Sequence, residues 1–398
     1  MSQDDPDSRL RRVLGLRGAV VIGVGAMLGT GVFAVWTPAY ARAGSGLLLS
    51  LAIAATIAAL NAFSTARLAA DIPRAGGAYA YGQQVLGRPA GVLAGYAFVI
   101  GKSASAGAAA LTIGVYLWPD AARVLAVLAI ALMLALDLRG VTRSMRATAV
   151  SVTIVLAILA VLTATYWIQK SDPTPAVGAG FDPGPWGVIA GAGVLFVAFA
   201  GYARITVLGE EVTNPRRTIP RAVAISFAIV VIVYAALGVT VIAARERIGD
   251  LGDAALDTIA TASGGPALAW AVTLAAVLAA GAVLLSLIAG IGRTMFAMGA
   301  GGDAPRGLAA VSSTTGVPYR AEVLAAVLAT AVALIGGLGF ALALSGASIL
   351  VYYAVAHAAA WRRWPGRSAA AILGRAVAGL GLIMCLGIAA TVITLSVA

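Results

Sequence analysis

Apolar runs of about 18 to 25 residues, separated by short charged segments, recur along this chain from residue 18 onward. As an α-helix such a run rises ~1.5 Å per residue, which matches the ~30 Å hydrocarbon core of a bilayer. Inside hydrocarbon every backbone N–H and C=O must be satisfied by protein, so only helices and closed β-barrels cross it. Alternation with period two is absent, which excludes the barrel. Composition agrees: 61% of the 398 residues are hydrophobic and 11% are charged, too few polar groups to cover a water-soluble surface. The sequence predicts an all-α membrane protein. Eleven spans are read, near residues 18–40, 46–66, 89–117, 121–137, 147–168, 186–208, 221–243, 267–293, 319–336, 339–357 and 376–397. Two tightly joined helices must share residues 318–361.

The net charge of +11 is not the footprint of a nucleic-acid binder. With the amino terminus in the cytoplasm, only Arg42, Arg123, Lys170, Arg245 and Arg247 fall on the far side. Lys102 and Arg204 lie within spans, and the remaining 20 of the 27 Lys and Arg lie on the cytoplasmic side. That is the positive-inside bias of a multi-pass protein of the cytoplasmic (inner) membrane, and it needs no polyanionic partner. Residues 1–15 read as a polar cytoplasmic tail, and residues 16–398 as a single membrane domain. No cleavable leader is expected. The one cysteine, Cys385, rules out an intrachain disulfide.

Two soluble-protein motifs fail on inspection. Residues 95–103, GYAFVIGKS, approach a phosphate-binding loop, but that spacing requires glycine where Tyr96 stands. Gly23 and Gly25 begin a dinucleotide fingerprint whose third glycine falls on Leu28. No catalytic triad is recognised. The only histidine, His357, is read as an interfacial residue closing the tenth span near the cytoplasm, without a catalytic role. Neither enzymatic activity nor a cofactor nor a metal is expected.

The first span, GAVVIGVGAMLGTGVFAVW, is unusual for a membrane helix. Each of Gly23, Gly25, Gly29 and Gly31 costs ~1 kcal/mol of helix propensity relative to alanine. Packing by small residues accounts for Gly25 and Gly29, but not for the adjacent Gly29-Thr30-Gly31. Two glycines around a threonine suit a break that frees backbone groups at mid-membrane, which is tolerated where it lines a cavity. The sixth span, GAGVLFVAFAGYARITVLG, carries a matching interruption at Gly201. Interruptions five helices apart are the mark of an inverted five-helix repeat with a substrate site at its centre. The repeats are read as residues 16–170 and 183–358, with a peripheral helix at 372–398.

Four segments then carry a family resemblance: GVGAMLGTGVFA (23–34), DIPRAGGAYAYG (71–82), GEEVTNPRRTIPRA (209–222) and RTMFAMGAGGDAPRGLAAV (293–311). Together they resemble the amino acid/polyamine/organocation permeases, in that family's order. The resemblance implies a leucine-transporter-type fold and secondary active transport of amino acids by alternating access. It implies that Gly29, Thr30 and Gly31 hold a substrate carboxylate. Carbonyls near Ala26 and Met27, and near Phe199 and Ala200 beside Gly201, would receive the α-amino group. Phe199 and Tyr202 are candidates for a lid over the substrate, with packing against lipid or core as the alternative.

All sixteen Asp and Glu are placed in tails, loops or span ends, so no buried carboxylate is expected. Lys102 stands near the midplane of the third span, where an unpaired charge costs at least ~2.5–3.5 kcal/mol and is functional by default. Relatives without a sodium requirement resemble this chain but carry a lysine in the fifth helix, where Val155 aligns here. Lys102 is the expected substitute, as a fixed or titrating charge, with protons as coupling partner in symport or exchange. The alternative is that Lys102 only holds the bundle together. Arg204 is read either as a gating ion-pair partner of Glu210 or as an anchor. Residues 69–88 read as an interfacial helix, against which Glu210, Glu211, Asn214, Arg216 and Arg217 could pack. Two basic residues within spans favour neutral or anionic amino acids over cationic ones. A membrane sensor without transport and a passive channel remain the other readings.

Overall fold

The structure, a computed structural model, describes residues 15–72, 76–140, 145–169, 183–202, 212–364 and 368–397. Among these residues there is no β-strand. The first span comprises α1 (Leu16–Met27), α2 (Gly31–Ala34) and α3 (Trp36–Ala43). It is followed by α4 (Leu47–Asp71), a short α5 (Ala78–Leu86), α6 (Arg88–Leu117), α7 (Ala122–Leu138) and α8 (Met145–Ile168). Then come α9 (Gly184–Phe199) with the 3₁₀ turn Ala200–Tyr202, α10 (Pro215–Ile248), α11 (Ala255–Ala300), α12 (Tyr319–Ile335), α13 (Leu338–Arg363) and α14 (Ala369–Val397). Ten segments among the described residues are long and apolar enough to cross a bilayer. The predicted ninth span is α12, 17 residues long, joined to α13 through Gly336-Gly337 as the sequence required.

Length explains one irregularity. The 46 residues of α11 would rise ~69 Å as a continuous helix, more than twice the hydrocarbon core. Gly265 ends the first part with φ 70°, and Pro266 starts the second. The membrane crossing is therefore the part after Pro266.

Helix partners follow a two-fold pattern. Exchanging the first five spans with the next five turns the α4–α9 contact into α10–α1, α6–α13 into α11–α8, and α6–α7 into α11–α12; all six contacts are present. The chain thus has the leucine-transporter-type arrangement of two five-helix sets plus one more helix. At its centre runs α6, packed on α5, α7, α11, α12 and α13. Its buried face is mostly Gly, Ala and Ser, the residues that let helices approach in a medium where apolar burial drives nothing. Large apolar side chains such as Ile168, Ile232, Ile335 and Ile383 project outward, each at least 69% exposed, as lipid contact demands.

The ends differ in charge. One, the basic end, carries Arg17, Arg67, Arg88, Arg139, Arg217, Arg293, Arg320, Arg362 and Arg363; the other carries Asp120, Asp250, Asp253 and Asp257 with fewer arginines. At the basic end α5 forms within the segment expected to be a short helix. Asn214 and Arg217 are exposed, the Arg216 side chain is not described, and Glu210 and Glu211 lie outside the described residues. Helix α5 is clamped by Asp303. Tyr79 Oη donates to Asp303 Oδ2 at 2.8 Å, Gln83 Nε2 donates to the same oxygen at 2.5 Å, and Arg88 Nε pairs with Oδ1 at 2.6 Å. Burial would raise the Asp303 pKa, but the hydrogen bonds from Arg88 and Tyr79, with the Arg88 charge, outweigh it and hold the carboxyl below its ordinary value.

His357 corrects its reading. It is fully buried rather than interfacial, and its Nε2 lies 2.7 Å from Asn61 Oδ1 of α4. The Cys385 thiol donates to the same oxygen at 3.4 Å. Through Asn61, the tenth and eleventh spans are tied to the second. The place of His357 six residues before the helix end concealed this, because α14 covers the site: Gly381 packs directly on the imidazole.

Candidate substrate site

The expected interruption of the first span forms, and the described end of the sixth span meets it; residues 203–211, beyond that end, lie outside the described residues. Helix α1 stops at Met27, with Leu28 N–H closing on Val24 O at 2.7 Å. Helix α2 restarts at Gly31, and Val35 keeps helical dihedrals (φ −83°, ψ −18°), so α2 and α3 continue as one helix. In the sixth span α9 ends at Phe199 and tightens into the 3₁₀ turn Ala200–Tyr202. Two glycines allow the contact. A Cβ on Gly201 would collide with the carbonyl of Ala26, and a Cβ on Gly31 would lie 2.5 Å from Ala198 Cα. Both obstacles are backbone, so no rotamer change relieves them.

The ends around this contact have opposite polarity. The C-terminal ends of α1 and α9 aim carbonyl oxygens at it, and the N-terminal end of α2 aims N–H groups at it. Among the described residues no backbone acceptor is found for the N–H groups of Gly29, Thr30 and Gly31. Thr30 Oγ1 is buried without a partner there. A helix start with free N–H groups suits an anion, and converging carbonyls suit an ammonium.

Sequence reasoning missed Tyr234 of α10. Its hydroxyl donates to Met27 O at 2.7 Å and lies 3.1 Å from Ala198 O, so one side chain bridges the ends of both broken helices. Its ring is held edge-on between Trp36, with centroids 6.1 Å apart, and Phe199, at 5.0 Å. The available signal was local. Val230, Tyr234, Leu237 and Val241 recur at helical spacing and are all buried, which marks the inward face but not the hydroxyl's target.

The other expected residues are distributed as follows. Gly201 meets Ala26 and Met27, and Gly31 meets Ala198 beside Phe199; the turn Ala200–Tyr202 packs on α1, whereas Gly29, next to Thr30, faces Val283 of α11. Phe199 is fully buried between Tyr234 and Phe227, and Tyr202 is fully buried 5.8 Å from the Tyr353 ring. Lys102 is the fifteenth residue of the thirty in α6, at mid-helix as expected, and only partly buried. It makes no hydrogen bond, ion pair or charge contact with any described residue. Arg204 lies outside the described residues. The expectation of no buried carboxylate is overturned: Asp137, near the end of α7, is 9% exposed and Glu322, in the first turn of α12, is 2% exposed. Span-end acids were assumed to reach water, whereas these two face neighbouring helices.

At the end opposite the basic one, a cavity of about 910 Å³ opens between the start of α7, the start of α11 and the α12–α13 junction. Tyr116 and Thr273 line its floor. Tyr116 Oη donates to Phe33 O at 3.0 Å in α2, and Thr273 Oγ1 lies 3.0 Å from Asp257 Oδ1 and 3.3 Å from Tyr116 O. Tyr116 thus links the cavity lining to the helix that begins at the break.

Comparison with known proteins gives a consistent answer. The sequence profile described as Amino acid permease matches residues 18–398. An uncharacterized transporter of Mycobacterium tuberculosis is 45% identical over 361 residues, covering 90% of this chain and 81% of that protein. A branched-chain amino acid permease of Bacillus subtilis is 26% identical, covering 79% and 73%. A vacuolar cationic amino acid transporter of Arabidopsis thaliana is 27% identical, covering 83% and 60%.

Proposed function

The chain belongs to the amino acid permease family, and from that membership we propose that it is a secondary active carrier moving amino acids across the cytoplasmic membrane by alternating access. The observation that carries this reading is the meeting of the two helix interruptions at Gly201 and Ala26. Free N–H groups of Gly29, Thr30 and Gly31 receive the substrate carboxylate. Carbonyls of Ala26, Met27, Phe199 and Ala200 receive its ammonium. Such a site fits the zwitterion common to all amino acids, and Phe199 and Tyr202 close over it. The first span has a helical segment on either side of its break, so tilting one segment exposes the site to one side of the membrane. With the amino terminus in the cytoplasm, the basic end is the inner face and the cavity above Tyr116 is the outer entrance.

Transport is sodium-independent and coupled to protons, as symport or exchange, with Lys102 as the titrating charge. An ammonium at mid-helix without a described partner is costly to keep, and a group that trades its proton in each cycle accounts for its presence. Neutral or anionic amino acids are favoured over cationic ones, because the charged side chains placed within spans by the sequence are basic.

The test is flux in proteoliposomes across the twenty amino acids, with and without sodium and a proton gradient. Saturable uptake that needs no sodium supports the carrier. Binding without flux would indicate a membrane sensor. Lys102→Ala is expected to abolish accumulation driven by a proton gradient while leaving exchange of internal for external substrate intact; unchanged gradient-driven accumulation would refute its role.

A further inference from the structure

Outside the substrate site, the least expected chemistry lies between α7, α11 and α12 at the basic end. Asp137 and Glu322 come from α7 and α12, two helices packed on each other, and their carboxyl groups interact. Both residues are at least nine-tenths buried. Asp137 Oδ2 and Glu322 Oε2 have no hydrogen-bond donor among the described residues. Gly292 of α11 packs on the Glu322 side chain, where a Cβ would come within 2.5 Å of Cγ. The α11 backbone therefore closes one side of the Glu322 side chain.

Two ionised carboxylates accept hydrogen bonds and donate none, and as neighbours they repel. The cation facing both is Arg293 of α11, which is exposed. Arg139, after α7, and Arg320, at the start of α12, are exposed as well. Lys102 of α6, which also packs on α7 and α12, has no charge contact with either carboxyl. The Arg146 side chain of α8, a helix packed on α11, is not described. One positive charge at the water's edge does not supply the donor that two buried carboxyls lack. A proton held between them does, because the protonated member then donates to its partner.

We propose that Asp137 and Glu322 form a proton-binding site at the basic end of the bundle, in which one shared proton links α7 to α12. The site is separate from the substrate contact at Gly201. The elements it joins, with α6 and α11, form the part of the bundle that does not contain the broken helices. Under the carrier reading it makes the inner face sensitive to pH, independently of coupling through Lys102.

The experiment is infrared spectroscopy of the purified protein across a pH series, without substrate. Wild type is expected to show the stretching band of a protonated carboxyl at neutral pH, lost on alkalinisation. Glu322→Gln and Asp137→Asn keep a donor facing the remaining carboxylate but have no shared proton, and each is expected to lose that band. A wild-type protein with no such band at neutral pH would overturn the proposal, whether or not the variants fold. A band that persists in both well-folded variants would overturn it equally. A second readout is substrate exchange at equal pH on both sides: wild type is expected to vary with pH and Glu322→Gln to be flat. Since the spectrum needs no transport, a band without any exchange would refute the carrier reading and leave the site standing, and exchange without the band would do the reverse.

Discussion

At Gly201 the absence of a side chain is what allows the sixth span to touch the carbonyl of Ala26. A methyl group there forces backbone apart, and overpacking of this kind costs about 1–3 kcal/mol. If that strain falls on the state that holds substrate, Gly201→Ala lowers uptake by roughly 10- to 100-fold while the protein still assembles, which initial-rate uptake and size-exclusion profiles together would check. Tyr234 makes a second prediction. Tyr234→Phe keeps the ring between Trp36 and Phe199 but removes the donor to Met27 O, leaving a buried carbonyl at a cost of about 1–3 kcal/mol. The variant is expected to melt at lower temperature and to show altered substrate affinity by calorimetry. Wild-type values for both would mean that the hydroxyl neither joins the two breaks nor shapes the site. The glycines were legible from composition alone, since several in one span have a propensity cost that packing did not cover. Tyr234 was not, because a tyrosine on an apolar helix face gives no hint of which distant carbonyl it reaches.

Among elements, α5 illustrates how a short helix is fixed by a single acid. Asp303 receives hydrogen bonds from Tyr79, Gln83 and Arg88 and gathers α5, α6 and the segment after α11. Its folded-state pKa is depressed, so its contribution is present above the unfolded value and is lost as pH falls through the folded one. The stability gap between wild type and Asp303→Asn is therefore expected to be constant from pH 8 to 6 and to close below about pH 4. Because Arg88 is largely exposed, the gap is about 1–2 kcal/mol. Thermal melting of the two proteins across pH would show it, and a gap that widens in acid would contradict it. In the sequence, Asp303 stood within the motif at 293–311 without a visible partner. Glu322 had a clearer signal: it shares a helical face with Ala325, Ala326, Ala329 and Ala333, all buried. A carboxyl in register with a small-residue packing stripe is turned inward, and its position near a helix end does not change that.

For the molecule as a whole, the boundaries of the third, fourth, fifth and ninth spans were readable to within about two residues, because bilayer thickness sets helix length independently of tertiary contacts. Where boundaries differ, tertiary structure decides: α10, α11 and α13 run past the apolar runs into the loops. The two-fold pattern of helix partners was inferred from two interruptions and is seen in the contacts. What composition could not give was the set of polar groups linking helices, such as His357 with Asn61 and Asp137 with Glu322, because each partner looks ordinary in its own segment. These links lie away from the contact at Gly201, where the described ends of the first and sixth spans meet through glycine and Tyr234. A bundle so divided suits motion of the broken helices against the rest. The most direct measurement is counterflow in sodium-free proteoliposomes, with internal unlabelled and external labelled amino acid. The account predicts saturable, transient accumulation of label in wild type, slowed roughly 10- to 100-fold by Gly201→Ala and preserved by Lys102→Ala. Substrate binding without counterflow in the wild type would contradict it.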